Sequence, residues 1–366
     1  MQFRDTHQRL SFLMVILLAA SLLSMGASAH EDEFLLKVAN APSNHTEFEL
    51  STEPYPISKI PGITHGLESY FSFDSKKLIF YGKNQDDDKN FHTYVINVDG
   101  TGLQRINDDG EDACSFFFPD NQTVIYTSTK DHSDKPAGNW SSSRHYPQGA
   151  ELYVTRLDGG EVKRLTNNDV YDAEVSVSPD GRWILFTRQE NGQLDLWRMR
   201  PDGSEEQRVA DTPELQEGGA FYMPDSETIL FRAWKREDET KTNKPMEIYT
   251  VKHDGTELKR LTHDNGVNWA PYPAPDNKHF TFAKMLPPHN FEIFLMNIET
   301  GKQTQLTFSK AFDGFPSFSP DGKTISFSSS RHKEGKRRLS LFLLDVSEFD
   351  IRPMGQTEFE NKQFGW

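Results

Sequence analysis

An all-β fold, a closed ring of six four-stranded blades, is predicted by two regularities in the sequence. The first is an aspartate followed six positions later by an aromatic ring: Asp74 and Phe80, Asp120 and Tyr126, Asp180 and Phe186, Asp225 and Phe231, Asp276 and Phe282, Asp321 and Phe327. Successive aspartates lie 46, 60, 45, 51 and 45 residues apart, and a unit of about 45 residues built from short strands has the size of one propeller blade. The second is an apolar residue two positions before each ring, at Leu78, Val124, Ile184, Ile229, Phe280 and Ile325. Alternation with period two marks a strand.

Within a unit the order is strand, turn, strand, loop, strand, turn, strand. In the third unit Glu174–Ser178 and Trp183–Thr187 flank Pro179-Asp180-Gly181, and Leu194–Met199 and Glu205–Val209 flank Pro201-Asp202-Gly203. Proline presets φ and glycine accepts φ > 0, so these tripeptides are turns. Phe71, Phe117, Val177, Tyr222, Pro273 and Phe318 form a further column on the inner strands, expected as core between blades. The sixth unit has Phe315–Ser319, Thr324–Ser328 and Leu339–Val346 but no fourth strand. Pro56–Ile60 resembles Val162–Thr166, an outer strand, and is expected to complete the last blade, closing the ring and removing its open edges.

The ends and the composition bound the rest. Arg4 and Arg9 before the apolar run Leu10–Leu23, followed by Ala27-Ser28-Ala29, read as a secretory signal over residues 1–29. An uncleaved anchor is the alternative, since Leu10–Ala29 is long enough to span a bilayer; no other stretch could do so. Residues 30–54 form an N-terminal extension, 55–348 the propeller and 349–366 a tail without repeat signal. The formal charge of −15 becomes −16 without Arg4, Asp5 and Arg9, which argues against nucleic acid and favours a cationic partner, a metal or no charged ligand. Cys114 is the sole cysteine, so no disulfide forms within the chain. A periplasmic or secreted monomer is expected.

The segments Phe312-Asp313-Gly314-Phe315-Pro316-Ser317-Phe318-Ser319-Pro320-Asp321-Gly322-Lys323 and Glu247–Gly255, with the Lys-Arg-Leu-Thr endings at Lys163–Thr166 and Lys259–Thr262, resemble the PD40 repeat of TolB-like propellers. The resemblance covers about residues 55–346 and implies an exported six-bladed propeller used for protein–protein contact. Related propellers also precede serine peptidase domains or act as pectin-fragment lyases, so the fold by itself fixes no activity. TolB itself carries an α/β domain before its propeller; only about 25 residues stand there in this chain, which resembles a stand-alone version.

Length variation falls on one face of the predicted ring, at Lys83–Asn90, Lys130–Gly149, Trp234–Pro245, Lys284–Asn290 and Ser330–Arg338. A rigid scaffold with variable loops on one face is a usual way to build a binding surface. Eight positions before the repeat aspartates stand Gly66, Asp112, Asp172, Glu217, Asn268 and Asp313, and two positions further in lie Glu68 and Glu174, on the same side of their strands if the period of two holds. These groups are expected to converge at the channel mouth as a pocket for a cation, a basic peptide end or a divalent metal such as calcium; alternatively each accepts hydrogen bonds from its own blade connection. On the first view Asp172→Asn with Asp313→Asn leaves folding nearly intact and weakens cation binding. The insertion from Asp131 to Pro147 offers Trp140, Arg144, His145 and Tyr146, residue types enriched at or near binding hot spots, unless Trp140 and Tyr146 serve to pin the loop. No Gly-x-Ser-x-Gly elbow, His-Glu-x-x-His or phosphate loop is present, and His145, His289 and His332 are loop histidines without ligand spacing. The reading is a non-enzymatic module that binds a protein or peptide through the variable face, needing no cofactor; the alternative is a hydrolase or lyase with a metal-assisted site at the channel mouth.

Overall fold

The computed structural model describes residues 53–84, 89–331 and 338–354. The proposed signal segment 1–29, most of the extension, His332 and the end of the tail lie outside these residues. Six four-stranded antiparallel sheets form the six blades of a β-propeller. Their inner strands are Gly66–Phe71, Asp112–Phe117, Tyr171–Val177, Leu215–Tyr222, Asn268–Pro273 and Asp313–Phe318. In the third blade the sheet continues through Ile184–Glu190 and Gln193–Met199 to Gln207–Arg208. Its outer strand is shorter than Glu205–Val209, because ladder pairing is confined to Trp197 with Arg208 and Arg198 with Gln207. Closure follows the expected route: Ile57–Lys59 pairs antiparallel with Ser340–Asp345, Ile57 opposite Leu344 and Lys59 opposite Phe342, and becomes the outer strand of the sixth blade.

The core lies between blades. All six repeat rings, Phe80, Tyr126, Phe186, Phe231, Phe282 and Phe327, are fully buried, as are the six residues two positions before them. Apolar clusters join neighbours; one combines Trp183, Leu185 and Leu196 of the third blade with Ile229, Phe231 and Val251 of the fourth. Each repeat aspartate fixes the turn after its inner strand by accepting the N–H two residues on, at 2.9–3.1 Å. The intervening residue is left-handed in every copy (Ser75, Asn121, Gly181, Ser226, Asn277, Gly322), which glycine and asparagine adopt most easily. The Lys-Arg-Leu-Thr endings are structural too. Arg164 donates to the Thr166 carbonyl at 2.8 Å and to Glu151 at 3.0 Å, and Thr166 Oγ1 accepts the Leu152 N–H.

One backbone feature repeats in all six blades without being visible in the apolar pattern. Every inner strand breaks register six residues before its aspartate. The residue there, Glu68, Cys114, Glu174, Gly219, Ala270 or Phe315, has φ between 22° and 55°. Five of the six are not glycine, and a left-handed residue with a Cβ costs about 1–2 kcal/mol. A bulge of this kind re-aims a side chain. Here it turns the bulged residue toward the central channel, while the side chain two positions earlier stays between blades.

Candidate functional site

The bulges separate the two sets of acids that strict alternation would place on one side. Asp112, Asp172, Glu217, Asn268 and Asp313 are at most 1% exposed and are not among the residues lining the cavity at the channel mouth. Asp112 accepts the Thr93 N–H at 2.8 Å and the Asn107 amide at 2.7 Å. Glu217 accepts the Leu196 N–H at 3.1 Å and the Thr212 hydroxyl at 2.6 Å. Asp172 takes Arg188 at 2.7 Å on each oxygen, and Asp313 pairs with Arg331. The Asn268 amide donates to Asp264 at 2.7 Å and to Glu247 at 3.2 Å. Asp112, Glu217 and Asn268 thereby stitch their inner strands to the preceding blade and its connection, whereas Asp172 and Asp313 each hold an arginine of their own blade. Gly66 interrupts the series for a steric reason: a Cβ there would stand 3.1 Å from Phe80 and 3.2 Å from Leu341, the residue that packs across the closure seam. Burial pushes Asp112 and Glu217 up to about 7 and Asp313 up to about 6, despite their donors.

The bulged residues, by contrast, all line one cavity of about 340 Å³ at the variable-loop end of the channel. Its floor is closed. Tyr70 and Phe221, from opposite blades, meet at 5.3 Å between ring centroids, and Phe116 and Tyr272 pack against Tyr70 at 5.4 and 5.7 Å. The channel is therefore blind beneath the pocket. Two insertions overhang the mouth, with Asn139–Arg144 and Tyr146 on one side and Glu239–Lys244 on the other. They are latched together: Ser143 donates to Glu239, Lys244 reaches the same carboxylate at 2.9 Å, and Trp234 Nε1 donates to it at 2.6 Å. Tyr146 is buried and stacks on Tyr171 at 4.2 Å, while Trp140 is half-buried against the same ring. Both hold the loop down and line the cavity. Arg144 is exposed at the rim, and His145, exposed beside it, faces Ser142 rather than the cavity. His289 is exposed on its own loop.

The pocket wall is chemically one-sided. Blades one to three contribute Glu68, Cys114 and Glu174; blades four to six contribute Gly219, Ala270 and Phe315, backed by Trp269 at 4.4 Å from Phe315. Burial pushes Glu174 upward, but the Arg232 guanidinium at 2.7 Å, the Gly219 N–H at 2.7 Å and the Thr187 hydroxyl outweigh it, so the carboxylate is held below the usual range. Glu68 has no such counter-ion among the described residues. Burial raises it to about 7, with the Cys114 thiol as its hydrogen-bond donor. That thiol is in turn pushed well up by burial and by the two carboxylates, so it is a donor and not a thiolate nucleophile.

A divalent cation fits this donor set poorly. Hard cations take six or more oxygens, whereas Glu174 is engaged by Arg232 and Glu239 by Lys244, which leaves Glu68. Among the described residues no group of three His, Cys, Asp or Glu side chains is placed to hold a metal. Cys114, Arg232, Trp269 and Phe315 were not picked out from the sequence. The signal that finds them is the bulge column itself, whose Glu, Cys, Glu, Gly, Ala and Phe make it the most varied column of the inner strand.

No family model matches the chain. Among curated proteins it is 26% identical over 156 residues to a TolB homolog of Chlorobium luteolum, covering 42% of this chain and 32% of that one. It is 24% identical over 215 residues to the uncharacterized peptidase YuxL of Bacillus subtilis, covering 58% and 29%. The chain thus spans about a third of the length of these relatives. Among solved structures, TolB from Acinetobacter baumannii superposes with a TM-score of 0.56 at 19% identity, over 74% of this chain and 64% of that one. A putative TolB from Agrobacterium tumefaciens gives 0.55 at 18% identity, over 79% and 96%. An oligogalacturonate lyase in complex with manganese gives 0.51 at 15%, over 81% and 95%. The fold is that of a TolB-like six-bladed propeller.

Proposed function

We propose that this TolB-like propeller is an exported, non-enzymatic binding module that receives a protein or peptide at its variable-loop face, with the blind pocket at the channel mouth as the recognition centre. The observation that carries this is where the six repeats differ. They agree in turn aspartates, core rings and the bulge itself, yet the side chain that each bulge presents to the channel differs in charge, size and polarity. A strained backbone kept in every copy, presenting a varied set of side chains to a pocket walled by aromatic rings and a few polar groups, is the form of a recognition site.

The reading includes cleavage of residues 1–29, a periplasmic or secreted location, a monomeric chain and no nucleic-acid partner. No helix among the described residues is long and apolar enough to cross a membrane. The lyase or hydrolase alternative shares the fold, but among the described residues the pocket brings together no metal-binding donor set and burial holds its thiol protonated. The test is site-specific photocrosslinking in native extract, with a photoreactive residue replacing Arg144 at the rim or Asp202 on the opposite face. Discrete adducts from the rim position alone support the reading; equal labelling from both faces, or from Asp202 alone, overturns it.

A further inference from the structure

We propose that the pocket receives an alkylammonium group, a lysine side chain or a free amino terminus of a partner peptide, and that Glu68 is its ion-pair partner. This rests on the channel mouth being a recognition site and names what that site recognises. Three observations converge. The acids that line the cavity are Glu68, Glu174 and Glu239; Arg232 neutralises the second and Lys244 the third, leaving Glu68 without a cation among the described residues. The walls near it are rings: Phe315 comes from the adjoining sixth blade with Trp269 of the fifth packed on it at 4.4 Å, and Tyr70 lies two residues along its own strand. Aromatic faces attract cations and cover a methylene stem. The floor is shut by Tyr70 against Phe221, so the occupant is a side chain or a chain end and not a threaded strand.

The bound state follows from the groups facing Glu68. These are Cys114 from blade two, Glu174 from blade three, Arg232 from blade four and Tyr70 from its own strand. Arg232 is occupied by Glu174, and the Cys114 and Tyr70 protons are held tightly, so within the floor the group that changes charge near neutrality is Glu68. An arriving ammonium takes the place of the missing counter-ion and draws Glu68 into its ionised form. Affinity is therefore full above about pH 7 and falls roughly tenfold per unit below it, a loss of about a hundredfold between pH 8 and pH 5; a lysine ammonium stays charged throughout, whereas a free amino terminus, with a pKa of about 7.7–8.0, is about half charged at pH 8 and loses about twofold there.

Calorimetric titration of the full-length protein tests this with Nα-acetyl-lysine methylamide, glycine methylamide and the neutral Nα-acetyl-norleucine methylamide. The expected result is binding of the lysine or the glycine compound at about pH 8, loss of that binding toward pH 5, and no measurable binding of norleucine. Whichever amine binds identifies side chain or terminus as the source. Glu68→Gln keeps shape and hydrogen bonding, and is expected to weaken amine binding about tenfold or more and to abolish its pH dependence. Should that variant fail to fold, the norleucine comparison and the pH series on the native chain still decide. Equal binding of norleucine, affinity independent of pH, or an unchanged affinity in folded Glu68→Gln would each overturn the proposal. Absence of amine binding with rim-specific crosslinks still present would overturn this inference and leave the binding reading standing.

Discussion

Asp172→Asn is expected to destabilise the native state by about 3 kcal/mol, contrary to the near-neutral effect expected from the sequence. Asp172 is fully buried, and its two oxygens accept Arg188 Nε and Nη2 at 2.7 Å each, with the Asn168 amide on Oδ2 at 2.8 Å. The guanidinium is itself 6% exposed and stacked against Phe186 and Trp197, at 5.3 and 4.7 Å from the ring centroids. Asparagine keeps one acceptor but turns an NH₂ toward a group that can only donate. Removing one member of a buried ion pair costs about 3–5 kcal/mol, because the remaining charge is left uncompensated. Glu206 still holds Arg188 at 2.6 and 3.1 Å, which places the expected loss at the lower end. Urea titration at fixed neutral pH reads this directly. Glu206→Gln, at the solvent edge of the same arginine, should cost under about 1 kcal/mol, and adding Arg188→Met to Asp172→Asn should recover much of the loss. If Asp172→Asn melts like the native chain but loses ligand binding, the carboxylate belongs to recognition and the geometric argument fails.

Phe186→Ala, which empties a fully buried ring site between the second and third blades, should cost about 3–5 kcal/mol in the same titration; a loss below about 1 kcal/mol would mean the ring column is not core. Deleting residues 30–62 removes the strand Ile57–Lys59, the buried Ile60 and the Glu53–Arg331 ion pair at 3.3 Å. It exposes the edge of Ser340–Asp345 and should lower the melting temperature and promote aggregation, whereas an unchanged melt would disprove closure by this strand. Stability should rise as pH falls from about 8 to about 5. Burial raises Glu68, Asp112 and Glu217 to about 7, Asp313 to about 6 and Glu292 to about 9. Groups raised on folding contribute stability that is complete below their unfolded values near 4 and lost as pH climbs through the folded ones. His65, lowered to about 4 by burial, works in the opposite sense below about 6.5, and the lowered carboxylates such as Glu174 lose their contribution only below about 4. A thermal-melt series that peaks at neutral or alkaline pH would contradict this balance.

The parts legible in the sequence were those governed by local periodicity. Leu78 and Phe80 alternate as a strand must, Asp74 stands where a turn needs an acceptor, and the missing outer strand of the sixth unit pointed to Pro56–Ile60, of which Ile57–Lys59 pairs. The site was legible only in outline. Counting by twos from Asp172 to Glu174 assumes an unbroken pleat, and the bulge between Ala173 and Ser176 breaks it. One left-handed residue sends Glu174 into the channel and leaves Asp172 between blades. Arg232 was invisible for a related reason: its partner Glu174 lies 58 positions away on the neighbouring blade, and nothing local in either strand marks the pairing.

That same bulge explains how one repeat can serve both stability and recognition. A position buried between blades is constrained by two neighbours at once, as Gly66 shows, where even a Cβ would press on Phe80 and Leu341. The bulged position opens onto the channel, and glutamate, cysteine, glycine, alanine and phenylalanine all occur there on the same left-handed backbone. The strain of that backbone, about 1–2 kcal/mol in each of five blades, is not repaid by the bulged side chains as a class. Glu68 and Cys114 bond chiefly to each other, and Ala270 has no polar side chain with which to bond. What holds the bulge in place is the pairing on either side of it, Asn268 with Lys284 and Tyr272 with Thr281 in the fifth blade, which the core enforces regardless of the residue between. Because the scaffold fixes the backbone, substitutions at Glu68, Cys114 and Ala270 should change what the pocket accepts far more than whether the propeller folds, whereas Glu174, paired with the buried Arg232, Gly219, where a Cβ would meet Arg232 at 2.3 Å, and the buried Phe315 are tied to the fold as well. The interblade acids two residues upstream should behave in the reverse way.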